Sequence, residues 1–215
     1  MLIYDIGHQR KDKPMKRLML AGCALTLAAA AEEPMLRIGL IGLDTSHAVA
    51  FTKALNSPDS PEYALGARVV AAFKGGSPDI PASRDRIEKF TEELTNRWGV
   101  VLVPTIEDLC RQVDAVMLTS VDGRVHLAQA RPVIEAGKRL FIDKPMAASL
   151  RDGLAIFELA RQRGVAVISC SSLRYGTNTQ AVRNGAIGRV VSAETESPMT
   201  IEPTHPELFW YGIHG

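Results

Sequence analysis

The sequence predicts an α/β fold, a doubly wound parallel sheet, followed by the start of a truncated α+β second domain. Between residues 36 and 169, apolar runs of strand length alternate with segments of helical periodicity, and the connections are short. The first run, residues 36–41, is apolar almost throughout, as expected for a strand buried on both faces. The alternation stops after Cys170. We therefore expect a dinucleotide-binding type of domain over residues 32–170 and a partial second domain over 171–215.

Each element has its own local signal. The strands are predicted at residues 36–41, 67–73, 100–103, 114–120, 140–142 and 165–169. The helices between them are predicted at 48–55, 79–97, 104–109, 125–136 and 149–163. Thr45 or Ser46 can cap the first helix, and Gly137 suits a helix end. Beyond residue 170 we expect a helix at 177–184 and an alternating strand at 188–196 with an exposed edge.

The composition describes an ordinary globular chain. Of its 215 residues, 46% are hydrophobic and 23% are charged, and the formal net charge is +1. That balance offers no broad electrostatic attraction for nucleic acid. The three cysteines lie far apart without a CxxC spacing, so neither a structural zinc site nor a disulfide framework is predicted.

Residues 15–31 have the pattern of a secretory signal. They begin with a basic pair, continue through a short apolar stretch and end in alanines. The apolar stretch is too short for a stable membrane span, and residues 1–31 are therefore predicted to be a leader. Residues 20–23 also resemble a lipoprotein box. Export to the periplasm is expected, and the alternative is an amphipathic leader on a cytoplasmic protein.

Residues 136–150 form the segment around which the chain is organised. An apolar strand ends here on Asp143, Lys144 and Pro145, and a helix follows near Ser149. Ligands of open α/β sheets bind beyond the carboxyl ends of the strands, so a lysine at this position is placed for chemistry. The alternative is a solvated charge at a strand end followed by a loop proline.

Four segments together resemble one known family. Residues 114–116 (DAV), His126, residues 135–138 (EAGK) and residues 143–145 (DKP) follow its "DaV…H…eaGKhv…EKP" string in spacing and element type. The chain thus resembles the Gfo/Idh/MocA family, the glucose-fructose oxidoreductase and inositol dehydrogenase group of NAD(P)-dependent sugar dehydrogenases. The similarity covers about residues 36–196.

The resemblance implies a chemistry and residues to perform it. In this family a base takes a hydroxyl proton while a hydride passes to nicotinamide, and a nearby cation steadies the alkoxide. Lys144 corresponds to the lysine that orients substrate and cofactor, and His214 to the acid/base. The family's D-x-G-x-H context is changed, because Trp210 replaces the carboxylate that would orient His214.

The turn after the first strand departs from the family's G-x-G-x-x-G or A. Gly42 matches the first position, Asp44 takes the second and His47 the third. A carboxylate beside a diphosphate is adverse unless it is turned away or neutralised. The hydroxyls of Thr45 and Ser46 suit an anion. The alternative is that Asp44 and Ser46 simply cap the helix.

The cofactor implied is NADP or NAD. Lys74, at the end of the second strand, is compatible with a 2′-phosphate, and an exposed strand-end lysine is the alternative. His126 is either a cofactor contact or a packing residue at a helix start. The residues that the resemblance places at the cofactor are Gly42, Asp44, Thr45, Ser46, Lys74, Ser120, His126, Lys144 and Arg174. No metal site is predicted.

Three functions are compatible with these features. The first is hydride transfer between NAD(P) and a sugar or cyclitol hydroxyl. The second is an exported, non-catalytic sugar- or nucleotide-binding protein that kept the fold. The third is a gene fragment that does not fold stably alone. The partners implied are a small sugar or cyclitol and, since family members often dimerise through the second domain, another copy of the chain.

Overall fold

Six parallel strands form the centre of the protein, whose computed structural model describes residues 35–194. The strands are β1 Leu36–Ile41, β2 Ala67–Phe73, β3 Val101–Val103, β4 Ala115–Leu118, β5 Arg139–Ile142 and β6 Val167–Ser169. They lie in the order β3-β2-β1-β4-β5-β6, and each neighbouring pair is parallel. The chain reverses its direction across the sheet between β1 and β4, so the carboxyl ends of these two strands form the switch point at which such folds bind ligands.

Helices connect the strands as the sequence predicts, and the doubly wound α/β fold is confirmed. They are α1 Ser46–Asn56, α2 Pro81–Arg84, α3 Ile87–Trp98, α4 Ile106–Gln112, α5 His126–Glu135, α6 Leu150–Arg163 and α7 Thr177–Arg183. Ser149 caps α6 by accepting a hydrogen bond from the Asp152 amide, and Gly164 ends that helix in the left-handed conformation.

The two faces of β1 are both buried. Leu40 and Ile41 point to opposite sides of the sheet and neither has any exposed surface. Leu40 packs in the cluster beneath α1 and α3, whereas Ile41 packs in the cluster beneath α4, α5 and α6. Because burial of each large aliphatic side chain stabilises the fold by about 1.5–3 kcal/mol, β1 is held from both sides.

Two sequence predictions are wrong. The helix predicted over residues 79–97 is divided into α2 and α3, because Ser83 turns inward to bond with buried groups and the chain bends at residues 85 and 86. The predicted strand 188–196 is not formed over its described part, residues 188–194. No strand of the described chain lies beside it, and an isolated strand has nothing to satisfy its backbone.

The predicted leader and the end of the chain lie outside the described residues. This applies to residues 1–31, with their predicted export signal, and to His214 and Trp210. Among residues 35–194, no helix has the length and apolar character needed to cross a membrane. The predicted division into a domain at 32–170 and another at 171–215 stays a prediction.

Gly42 provides a test of the close packing at the switch point. Its φ is +86°, and a Cβ there would lie 2.2 Å from Ser120 Oγ and 2.4 Å from Ser120 N. Gly42→Ala is expected to lower the free energy of unfolding by about 3 kcal/mol or more, from the unfavourable φ and the clash together. The measurement is chemical denaturation of the full chain.

Gly99→Ala is the matched control for Gly42→Ala. Gly99 also has a positive φ, +65°, but a Cβ there meets nothing within 4 Å. Its cost should therefore be only the conformational one, about 1 kcal/mol. Equal losses in the two variants would contradict the steric role assigned to Gly42.

Candidate functional site

The carboxyl ends of β1 and β4 meet directly. Gly42 follows β1 and lies against Ser120, which follows β4. The Thr119 hydroxyl donates to the Gly42 carbonyl at 2.7 Å, and the Thr119 amide donates to the Ile41 carbonyl at 2.7 Å. The structure thus brings together Gly42 and Ser120, which the resemblance placed at one cofactor.

Asp44 faces into the protein. Its side chain is fully buried and accepts hydrogen bonds from the Ser83 hydroxyl at 2.7 Å and from the Val121 amide at 3.1 Å. Burial raises the pKa of this carboxyl, although the hydrogen bonds act in the opposite direction. The carboxylate is therefore turned away from the open side of the turn, which is the condition under which a diphosphate is tolerated there.

Thr45 is the N-cap of α1. Its hydroxyl oxygen accepts a hydrogen bond from the His47 amide at 3.2 Å, and Ser46 is exposed at the first helical position. The capping prediction for Thr45 is confirmed, and the alternative in which Asp44 and Ser46 cap the helix is wrong. Asp44 has buried partners instead, and Ser46 already lies within the helix.

A buried polar network supports Asp44 from behind. The Ser77 amide donates to Ser83 Oγ at 2.8 Å, and the Ser77 hydroxyl donates to Asp122 at 2.7 Å. Burial acts to raise the pKa of Asp122, but hydrogen bonds from Arg124 and Ser77 hold it below its usual value. Sequence reasoning did not find this network, because serines and aspartates in loops are ordinarily exposed.

Ser120 and His126 join two loops at the sheet edge. The Ser120 hydroxyl bonds to Gln129 Oε1 at 2.8 Å, and the Ser120 carbonyl lies 2.8 Å from His126 Nε2. His126 is fully buried, and its other ring nitrogen, Nδ1, lies 3.1 Å from the Met146 carbonyl. The imidazole therefore links the loop after β4 to the loop after β5, as a packing residue does.

Lys144 lies directly beyond the carboxyl end of β5. Its side chain is partly buried, and the peptide bond between Lys144 and Pro145 is cis. Burial lowers the pKa of the Lys144 ammonium, although the neighbouring Asp143 carboxylate acts to raise it. The predicted placement of this lysine beyond the sheet edge matches the geometry.

A histidine and a carboxylate meet beside Lys144. His47 Nδ1 lies 2.5 Å from Asp143 Oδ2, so the first turn of α1 contacts the end of β5. The Asp143 side chain is 8% exposed, whereas the His47 side chain is 39% exposed. Sequence reasoning singled out His47 only as a departure from glycine and did not pair it with Asp143. The sequence contained one indication that Asp143 belongs to the site, which is its position directly before Lys144.

Two predicted residues lie at the carboxyl ends of other strands of the sheet. Lys74 follows β2, and its ammonium forms an ion pair with Glu88 at 2.5 Å. Arg174 is exposed on a single 3₁₀ turn, Ser172–Tyr175, beyond β6. Across residues 35–194, no group of three or more histidines, cysteines or carboxylates is arranged to hold a metal ion.

The first turn of α1 fits a dinucleotide diphosphate. It carries no acidic side chain, Ser46 is exposed, and Asp44 points inward. The Gly42 and Leu43 amides already donate to the Phe73 and Lys74 carbonyls. The His47 amide donates to Thr45, so the groups that can hold a diphosphate are the Ser46 amide and the hydroxyls of Thr45 and Ser46, where the helix dipole also favours negative charge.

Substitution of Asp44 tests its buried role. Asp44→Ala is expected to lower the free energy of unfolding by about 2–4 kcal/mol, because the Val121 amide and the Ser83 hydroxyl lose their acceptor. Asp44→Asn keeps one of the two acceptor oxygens, so it should cost less than the alanine variant, about 1–2 kcal/mol. Chemical denaturation measures both free energies of unfolding, and equal losses would contradict the hydrogen-bonding role of Asp44.

The pH dependence of the same variants has a definite sign. Because burial raises the pKa of Asp44 above its ordinary 3.8, its contribution to stability is full below that value and is lost as pH rises through the raised one. Asp44→Asn cannot titrate at this position. The variant should therefore gain stability relative to the natural chain as the pH rises above about 4.

The chain is similar to curated dehydrogenases of cyclitols. It is 28% identical over 183 residues to inositol 2-dehydrogenase 3 of Saccharopolyspora erythraea, covering 80% of this chain and 47% of that protein. It is 32% identical over 133 residues to inositol 2-dehydrogenase of Gluconacetobacter diazotrophicus, covering 58% of this chain and 39% of that protein. The chain thus spans less than half the length of these relatives.

Solved structures share the fold. An oxidoreductase from Agrobacterium radiobacter, solved in complex with NAD+, L-tartaric acid and magnesium, superposes with a TM-score of 0.56 at 20% identity, covering 72% of this chain and 42% of that one. Myo-inositol 2-dehydrogenase from Lactobacillus plantarum superposes with a TM-score of 0.55 at 19% identity, covering 73% of this chain and 43% of that one.

The family is established by the sequence itself. Residues 36–170 match the family model GFO_IDH_MocA, described as an oxidoreductase family with an NAD-binding Rossmann fold. The match includes every strand of the sheet and the edge at which Gly42, Ser120 and Lys144 lie. The chain therefore belongs to the Gfo/Idh/MocA oxidoreductase family, as its motifs predict.

Proposed function

We propose that the chain carries the nucleotide-binding part of an oxidoreductase that transfers a hydride between NAD(P) and a sugar or cyclitol hydroxyl carbon. The observation that carries this proposal is the placement of Lys144 beyond β5, partly buried at the ligand-binding edge of the sheet. The other residues at this edge agree with that role, since α1 begins without an acidic side chain in its first turn.

Lys144 can serve the reaction as a fixed cation. A bound nicotinamide supplies the group that accepts or returns the hydride. The Lys144 ammonium stabilises the alkoxide that develops when the substrate hydroxyl loses its proton. Partial burial strengthens this interaction, because fewer water molecules screen the charge.

The proposed substrate class comes from the relatives. Both curated relatives described above are named inositol 2-dehydrogenases, so a cyclitol is the first substrate to test. NAD is the first cofactor to test, because the ion pair between Lys74 and Glu88 engages the lysine that would otherwise attract a 2′-phosphate. Export remains a proposal from the sequence pattern, and assembly into a homo-oligomer remains a proposal from the family resemblance.

The first test is cofactor binding followed by turnover. The full chain is titrated with NAD+ and NADP+ by isothermal calorimetry and then assayed for NADH formation with myo-inositol, scyllo-inositol and glucose. We expect binding in the micromolar range and turnover of at least one polyol. A chain that melts cooperatively yet binds neither dinucleotide at millimolar concentration would contradict the proposal. Binding without turnover would support the alternative of a non-catalytic binding protein.

Lys144→Ala tests the residue that carries the proposal. It should lower kcat by about 100-fold or more while the chain still folds, because the cation that stabilises the alkoxide is lost. Lys89→Ala, the same change at an exposed position of α3, is the matched control and should leave kcat unchanged. Equal kcat values for the two variants would remove Lys144 from the mechanism.

A further inference from the structure

The strongest unassigned feature of the described chain is the pair formed by His47 and Asp143. Nδ1 of His47 and Oδ2 of Asp143 are 2.5 Å apart, although the residues are 96 positions apart in sequence. The pair lies at the carboxyl edge of the sheet, and Asp143 directly precedes Lys144. A buried carboxylate, an accessible imidazole and a lysine are thus combined in one corner of the proposed site.

The carboxylate determines which ring nitrogen of His47 is basic. A carboxylate can only accept a hydrogen bond, so Nδ1 carries the hydrogen of the neutral imidazole. Nε2 then holds the lone pair. Asp143 is almost fully buried, and its backbone amide is fixed by the Leu118 carbonyl at 2.9 Å, so the carboxylate cannot easily move away. In general-base catalysis a carboxylate commonly binds one ring nitrogen of a histidine in this way, so that the other nitrogen faces the substrate and accepts its proton.

The basic nitrogen is accessible. Within residues 35–194, Nε2 of His47 has no hydrogen-bond partner, and 39% of the side chain is exposed. The ring is held on one side by an edge-to-face contact with Phe51, whose centroid is 5.7 Å away, and Phe51 packs in turn on Phe141 of β5. The imidazole is therefore oriented by two contacts and open at the nitrogen that can accept a proton.

We propose that His47 is the base of the hydroxyl oxidation and that Asp143 is its positioning residue. This proposal rests on the proposed function. The substrate O–H bond breaks and its proton passes to Nε2, the C–H bond breaks and its hydrogen passes as hydride to the oxidised nicotinamide, and the carbon–oxygen bond becomes a carbonyl. His47 replaces a glycine or alanine of the family's turn, and it has the carboxylate partner that the sequence around His214 lacks.

The tautomer of His47 is a test that needs no turnover. Nitrogen-15 NMR of the full chain without cofactor is expected to show His47 with a hydrogen on Nδ1 and none on Nε2, the signal being assigned by its loss in His47→Gln. In Asp143→Ala the preference should disappear. A hydrogen on Nε2 in the natural chain, under conditions where the ring is neutral, would overturn the proposal.

Turnover of NAD+ with myo-inositol tests the base itself. His47→Ala is expected to lower kcat by about 10²–10⁴-fold, and imidazole added to the assay should restore part of the loss. His47→Gln keeps a donor for Asp143 but has no basic nitrogen, so it should be equally slow and serves if the alanine variant does not fold. Lys53→Ala, at a later turn of α1, is the control and should retain full kcat.

Two variants of Asp143 test its role as the positioning residue of His47. Asp143→Asn should lower kcat by about 10–100-fold with little change in KM, and Asp143→Glu should recover most of the rate because it restores a carboxylate. Full activity of both His47→Ala and His47→Gln would overturn the proposal while the proposed function stands. The same conclusion would follow if added imidazole restored activity to His214→Ala but not to His47→Ala. A natural chain that binds NAD+ but turns over no polyol would refute the proposed function, and the base assignment with it.

Discussion

The close approach of Gly42 to Ser120 is the constraint on which the rest of the site depends. No side chain fits between the ends of β1 and β4, and the Thr119 hydroxyl bonds to the Gly42 carbonyl across the same gap. Both strands therefore end at one level of the sheet. Because the chain reverses its direction between these strands, this contact also fixes where α1 begins and where the loop after β4 turns away.

In the turn after β1, one departure from the family pattern is accommodated by changes in neighbouring segments. Asp44 stands where the family has glycine, and its carboxylate is directed inward to the Val121 amide and to Ser83. That arrangement requires the segment after β2 to fold back, which divides the predicted helix 79–97 and buries Ser77. A buried polar group is tolerated only when its hydrogen bonds are made, so these positions depend on one another.

The opposite end of the same turn carries the proposed base. His47 reaches across β4 to Asp143, and this contact joins α1 to the loop that carries Lys144. Two departures from the family pattern at this turn thus have different consequences. The carboxylate of Asp44 is turned away from the ligand side, which leaves room there for the proposed diphosphate. The imidazole of His47 remains on the ligand side and adds a basic nitrogen to it.

The sequence by itself determined the order of strands and helices, the family and the position of Lys144, because these depend on local hydrophobic periodicity and on motifs of adjacent residues. It also named Thr45 as one of the possible caps of α1, since capping is a contact over two residues. Only the tertiary structure decided the direction of Asp44, the division of α2 from α3 and the partnership of His47 with Asp143. These contacts join residues 39 to 96 positions apart, and no local pattern specifies which buried group a polar side chain will meet.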